Sequence, residues 1–278
     1  VSKLSNAGAL PLARGEEYAG ALAIDLRGDG IEKELVLMRF DGTSLYAARD
    51  LAYHRWRAER CERVIDVLGA DHKLHARQIS AVLKKLGVQP PEVIIFEFVS
   101  LPTGAMSTRA GKYVSADELM DKVEAEALKE VEKRREYDEK ERKRIARAVS
   151  VGAIRYDILR VSAEKPTTFD WKVALDFERQ GAPFVQYSHA RACGILRKAG
   201  GKVDEFNASL LKEKGEMELI KKLSQFPMFV EMCAGELKPH IIAIYAREVA
   251  ETFNYFYRDF PVLDAALEIR KARLALVE

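Results

Sequence analysis

Over the first hundred residues, short apolar runs alternate with stretches in which apolar residues recur every three or four positions. Residues 21–24 and 35–38 read as strands, 64–68 as a buried strand and 93–96 as another. Between the last two, residues 73–86 place Ile79, Val82, Leu83 and Leu86 on one helix face, with Gly87 as a natural stop. Strand, helix, strand at this spacing predicts a βαβ unit of a parallel sheet. Ligands of such sheets gather at the loops beyond the strand carboxyl ends, here 69–72 and 100–112. Beyond Asp117 the strand pattern stops. Leu119, Val123, Ala127, Leu128 and Val131 repeat at helical spacing, and the charged stretch 130–147 reads as a solvated helix face with Glu/Lys pairs. A second helix is expected to bury Ala148, Val151, Ile154, Ile158 and Leu159 and to break before Pro166. From 184 to 278 the pattern is helical, punctuated at Gly200, Gly201, Pro227, Pro239 and Pro261. The fold class expected is α/β followed by all-α, with no internal repeat.

Composition narrows the class. At roughly 150 residues per domain, 278 residues suggest about two domains. With 48% hydrophobic and 32% charged residues, a collagenous or disordered chain is excluded. The sequence shows neither an apolar run of about 20 residues nor a secretory leader, so a soluble, cytoplasmic protein is expected. Cys61, Cys193 and Cys233 are odd in number and widely spaced, which supports neither a disulfide framework nor a CxxC metal site. The net charge is only +2, so any nucleic-acid surface must come from local clustering of basic residues. Scarce Asn and Cys with abundant Lys, Arg and Glu is a composition associated with heat tolerance.

Four segments carry candidate chemistry. Met106, Ser107, Thr108, Arg109 and Lys112, with Gly104 and Gly111, form a small, hydroxylic, basic loop between a strand and a helix. Its backbone N–H groups and cations suit a phosphate, and its composition equally suits a solvated connection. Tyr46 and Asp50 lie at i and i+4 on one helix face, where a carboxylate beside a phenol can receive a cationic group. A helix-start Asp and a half-buried Tyr fit the same residues. Gly69, Ala70, Asp71 and His72 form a turn at a strand end, a ligand position in this architecture or a structural corner. Phe184, Tyr187, His189 and Arg191, followed by Arg197 and Lys198, interleave aromatic and basic residues. That pattern stacks unpaired bases and contacts phosphates, or packs a core beneath surface arginines. Phe253, Tyr255, Phe256 and Tyr257 read as bundle packing.

Together these segments resemble the arginyl-tRNA synthetases, a class I aminoacyl-tRNA synthetase family. GTSLYAARDLAY at 42–53, GADHKLH at 69–75, MSTRAGKYVSADEL at 106–119, GAIRY at 152–156, PFVQYSHAR at 183–191 and the segment 253–278 stand in the family's order and spacing. The resemblance implies the C-terminal half of a Rossmann-like class I catalytic domain in 1–118, with its signature-like loop at 104–112. A helical connecting region follows in 119–180, then a helical-bundle anticodon-binding domain in 181–278. It implies that Tyr46, Asp50 and His72 hold the substrate arginine, with Asp50 meeting the guanidinium. Gly69, Asp71, Met106, Ser107 and Thr108 would lie at ATP. Met106–Arg109 is similar to the second class I signature, KMSKS, with Ala105 and Thr108 in place of its lysines, so phosphate charge falls to Arg109 and Lys112 as the catalytic cations. Phe184, Tyr187 and Arg191 fall where the family binds the tRNA anticodon arm.

The implied activity is arginine–tRNA ligation: L-arginine is activated with ATP, accompanied by Mg²⁺, to an arginyl-adenylate and passed to its tRNA. No resident metal is implied, no membrane is involved, and the oligomeric state is left open. The alternative is a non-catalytic RNA-binding relative. The first class I signature, HIGH, and the family's N-terminal and last C-terminal segments are absent from the sequence, which begins at Val1. The expectation is an internal piece of a longer enzyme, inactive alone but retaining tRNA affinity.

Overall fold

The computed structural model describes residues 9–11, 20–102, 114–134, 136–177, 181–201 and 203–278. The chain divides into two compact units, Val1–Phe98 and Val99–Glu278.

In the first unit β1 (Ala9–Pro11), β2 (Leu22–Ile24) and β3 (Leu35–Met38) form an antiparallel sheet in sequence order, with a register shift between Leu22 and Ala23. The chain then turns tightly. Asp41 Oδ1 accepts a hydrogen bond from the Thr43 backbone N–H at 2.8 Å, and Gly42 sits at φ 87, a left-handed conformation that a Cβ would oppose. A bridge between Met38 and Ser44 brings the backbone back, and α1 (Tyr46–Ala58) starts from the extended Leu45 with no side-chain cap. This turn places Tyr46 at the first helical position and Asp50 one turn further on.

β4 (Ile65–Gly69) and β5 (Glu92–Phe96) pair in parallel, Ile65 opposite Glu92 and Gly69 opposite Phe96. The helix α2 (Lys73–Lys85) is their crossover. The βαβ unit is the one that the apolar pattern predicts. Ile79, Val82 and Leu83 of α2 pack with Leu51 of α1 and with Ile24 and Leu37 of the antiparallel sheet, giving the unit its core. β4 departs from expectation. Read as a buried strand, it alternates instead, with Val67 61% exposed and Ile65 also exposed. An apolar parallel strand is buried on both faces only where both sheet faces are covered, and among the described residues one face of β4 is open.

In the second unit β6 (Val99–Ser100) and β7 (Thr167–Thr168) make a short parallel pair, with Ser100 Oγ 2.9 Å from Thr168 Oγ1. α3 (Ala116–Arg134) opens with a reciprocal cap: Ser115 Oγ accepts from the Glu118 N–H at 3.1 Å, and Glu118 Oε2 accepts from the Ser115 N–H at 2.9 Å. α4 (Glu139–Leu159) opens on Asp138, whose Oδ1 accepts from the Glu141 N–H at 2.8 Å. The charged stretch is therefore cut between the two helices. Its charges pair along each helix, as in Lys133–Glu130 at 2.7 Å, and across them, as in Arg147–Glu124 at 2.7 Å.

The buried face of α4 differs from the one expected. Ala146, Val149, Ser150, Ala153 and Asp157 are buried, while Ala148, Ile158 and Leu159 are exposed. Ala146, Val149 and Ala153 of α4 share one core with Val123 and Ala127 of α3, and Ile145 and Ile154 pack against it partly buried. Asp157 enters this face because Arg160 reaches it at 2.8 Å; burial nevertheless pushes its carboxyl above the ordinary carboxylate range.

After α5 (Trp171–Ala174), the rear is a bundle of α6 (Ala182–Ala199), α7 (Lys214–Ser224), α8 (Phe226–Glu236), α9 (His240–Asp259) and α10 (Leu267–Val277). The expected punctuation falls at helix ends. Gly200 caps α6 at φ 93, Pro227 lies in the first turn of α8, Pro239 is the N-cap of α9 and Pro261 follows its end. Ile195, Leu219, Phe253, Phe256, Leu274 and Val277 form the bundle core.

Candidate functional site

In the α/β unit, the i, i+4 spacing puts Tyr46 and Asp50 on one side of α1. Tyr46 is 79% exposed, with the Arg49 guanidinium 5.4 Å from its ring centroid. Asp50 does not cap its own helix. Its Oδ2 lies 2.7 Å from Nε2 of His75, on the first turn of α2, and both side chains remain partly open, at 44% and 31%. Sequence spacing gave His75 no role, since the pair spans two helices and 25 positions.

A second layer adjoins this pair. His54, one turn along α1 from Asp50, has Nε2 3.4 Å from Asp66 Oδ2 on β4. Arg57 Nη2 donates to Asp66 Oδ1 at 2.6 Å and lies 2.7 Å from His54 Nδ1. A guanidinium can only donate, so Nδ1 accepts and the ring proton of His54 sits on Nε2, facing Asp66. Burial pushes the His54 imidazole below the ordinary histidine value, against the opposing pull of Asp66, so the ring is neutral at neutral pH. Arg57 thus pairs with Asp66 through Nη2, its buried Nε making no hydrogen bond, and the Asp50 carboxylate faces a histidine instead of a permanent cation.

Gly69 ends β4, and Ala70–His72 form a single 3-10 turn directly after it. A Cβ on Gly69 would stand 2.8 Å from Asp71 Oδ1, the tip of an exposed side chain, and 3.7 Å from the Phe96 ring. His72 turns toward its neighbour Asp71, with Nε2 3.7 Å from Oδ2, and both are well exposed. It is His75, three residues on, that reaches Asp50. Met106, Ser107, Thr108, Arg109 and Lys112 lie outside the described residues. Among the described residues no group of three or more His, Cys, Asp or Glu could hold a metal ion, and no helix is long and apolar enough to cross a membrane.

In the helical unit α6 carries Phe184, Tyr187 and Arg191 on one side, as helical spacing requires. The Arg191 guanidinium stands 4.8 Å from the Tyr187 ring and 4.7 Å from the Tyr257 ring, and donates to Asn254 Oδ1. Asn254 Nδ2 in turn donates to Ser188 Oγ at 2.7 Å. A groove of about 480 Å³ follows, lined by Phe184, Arg191, Asn254, Tyr255, Tyr257 and Arg258, with Glu251 as its acid. Phe253 and Phe256 pack the core as expected. Tyr255 and Tyr257, read as packing, are instead exposed and line the groove, with the Tyr257 ring stacked on Phe253 at 6.3 Å from one helix turn away.

The α/β unit and the helical bundle are together the parts of a class I tRNA synthetase, as two family matches show. The model "tRNA synthetases class I (R), catalytic domain" matches residues 12–171, and "DALR anticodon binding domain" matches 185–278. The chain belongs to the arginyl-tRNA synthetase family. An arginine–tRNA ligase of Methanothrix thermoacetophila is 61% identical over 260 residues, 93% of this chain and 46% of the relative. One of Methanosarcina acetivorans is 54% identical over 272 residues, 95% of this chain and 48% of the relative. The solved Thermus thermophilus arginyl-tRNA synthetase matches with a TM-score of 0.85 and 28% identity, over 99% of this chain and 54% of that one. The chain spans about half the length of the curated relatives it matches.

Proposed function

We propose that these 278 residues are the arginine-recognising and anticodon-binding part of an arginine–tRNA ligase, a cytoplasmic enzyme. The reading divides them into catalytic residues 1–118, a helical connection at 119–180 and an anticodon-binding domain at 181–278. In the reaction the carboxylate of L-arginine attacks the α-phosphate of ATP and pyrophosphate leaves. A terminal ribose hydroxyl of tRNA then attacks the adenylate carbonyl and AMP leaves. Asp50 receives the guanidinium, because a carboxylate offers the planar, bidentate partner that such a cation prefers. Tyr46 closes one side of that contact and His72 the amino-acid end. Gly69 and Asp71, with Met106, Ser107 and Thr108, meet ATP, while Arg109 and Lys112 balance the phosphate charge that develops as pyrophosphate departs. Mg²⁺ enters on the triphosphate. Phe184, Tyr187 and Arg191 take the anticodon arm.

The observation that carries this reading is the Asp50 carboxylate, at 44% exposure, with Oδ2 held by His75. The test is tRNA charging by the complete enzyme across all amino acids. Charging with arginine supports the reading. Charging with none, alongside intact tRNA binding, would favour the non-catalytic RNA-binding relative. The 278 residues alone are expected not to charge tRNA but to bind it, with an affinity that falls steeply as salt rises.

A further inference from the structure

We infer that His75 is a positioning residue that fixes the Asp50 carboxylate for the arginine guanidinium. The inference rests on the reading that Asp50 is the guanidinium's partner. A two-pronged guanidinium gains its second hydrogen bond only if the carboxylate plane is already set, and an aspartate carboxyl rotates broadly about its last torsion. At Asp50, Nε2 of His75 holds Oδ2 at 2.7 Å from a separate helix. The tie crosses from α1 to α2, whose buried faces share one core through Leu51 and Ile79, so two packed helices define the carboxylate orientation. The neighbouring charges do not compete for it. Arg57 is engaged by Asp66 at 2.6 Å, and His54, whose Nδ1 accepts from Arg57, turns its Nε2–H toward Asp66. With Nε2 of His75 held against Oδ2, the second oxygen of Asp50 is oriented before the substrate arrives.

The test is steady-state kinetics on five forms of the complete enzyme: wild type, H75A, H75Q, D50N and the H75A/D50N double variant. H75A is expected to raise the arginine KM about tenfold, the scale of one lost hydrogen bond to a charged group, with kcat and the ATP KM changed less than about twofold. H75Q, whose amide nitrogen reaches the Nε2 position, recovers most of that loss. In the D50N background H75A adds less than about twofold, because the residue acts through Asp50. An unchanged arginine KM in H75A, with or without a lowered melting temperature, overturns the inference. If D50N raises the arginine KM while H75A does not, the inference fails and the Asp50 reading stands. If D50N itself leaves the arginine KM unchanged, both fall. Should H75A not fold, His75→Asn, whose amide stops short of Asp50, replaces it against H75Q with the same expectations.

Discussion

Each unit of the molecule holds a carboxylate facing a basic side chain, and the two arrangements differ in what they leave free. Glu216, near the start of α7, is fully buried, its side chain 1% exposed against Arg273 of α10 at 11%. Its Oε1 accepts from Arg273 Nε at 2.6 Å and its Oε2 from the Glu213 backbone N–H at 2.9 Å; Arg273 Nη1 also donates to the Pro261 carbonyl at 2.6 Å. Both oxygens are used. Asp50 is half open, and only Oδ2 is tied, to a histidine rather than an arginine. A carboxylate whose oxygens are both satisfied out of water holds helices together. One that is oriented but half satisfied is prepared to bind something else.

That contrast can be broken in several places. The largest effect is expected at the buried pair: Glu216→Ala strands Arg273 and the Glu213 N–H, costing about 3–5 kcal/mol in urea unfolding of the helical unit. A loss below about 1 kcal/mol would mean that the pair is solvated and the contrast empty. Next comes the groove. Arg191→Ala removes a guanidinium held between two tyrosine rings, and tRNA affinity should fall roughly tenfold with a shallower salt dependence; an unchanged affinity would detach the groove from RNA. Tyr46→Phe keeps an exposed ring and removes one neutral hydrogen-bonding group, so the arginine KM should rise only about three- to tenfold. The smallest effect concerns His54. Its native value lies below the ordinary 6.5, so the unfolded chain binds the proton more readily. Its contribution to stability is therefore present above about pH 6.5 and is lost as pH falls through that value toward the lower native one. His54→Gln should flatten this part of the stability–pH curve, and an unaltered slope would show the ring to be solvated.

What was legible in the sequence was local. Tyr46 and Asp50 share a helix face through i, i+4 spacing, and the βαβ unit follows from two apolar runs flanking a helical repeat. Glycines and prolines marked the helix ends because their backbone constraints act on the residue itself. Partners distant in sequence were not legible. His75 meets Asp50 across 25 positions and Arg273 meets Glu216 across 57, and neither pairing leaves a periodic trace. Glu216 looks like any charged residue on a solvated helix until its capping and its arginine are seen. α4 misled for another reason: Ile158 and Leu159, at its C-terminal end, are exposed, while the buried face runs through Ala146, Val149, Ser150 and Ala153 with Ile145 and Ile154 packed beside it.

The central claim is that Asp50 serves binding and not stability, and one variant separates the two. Asp50→Asn keeps the side chain's size and removes its charge. In the complete enzyme, with arginine KM, ATP KM and melting temperature measured on one preparation, the arginine KM should rise about a hundredfold or more, the scale of truncating one partner of a buried charged pair. The ATP KM and the melting temperature should scarcely move. A lowered melting temperature with the arginine KM within about threefold of wild type would contradict the account, leaving Asp50 and His75 as a structural tie between two helices.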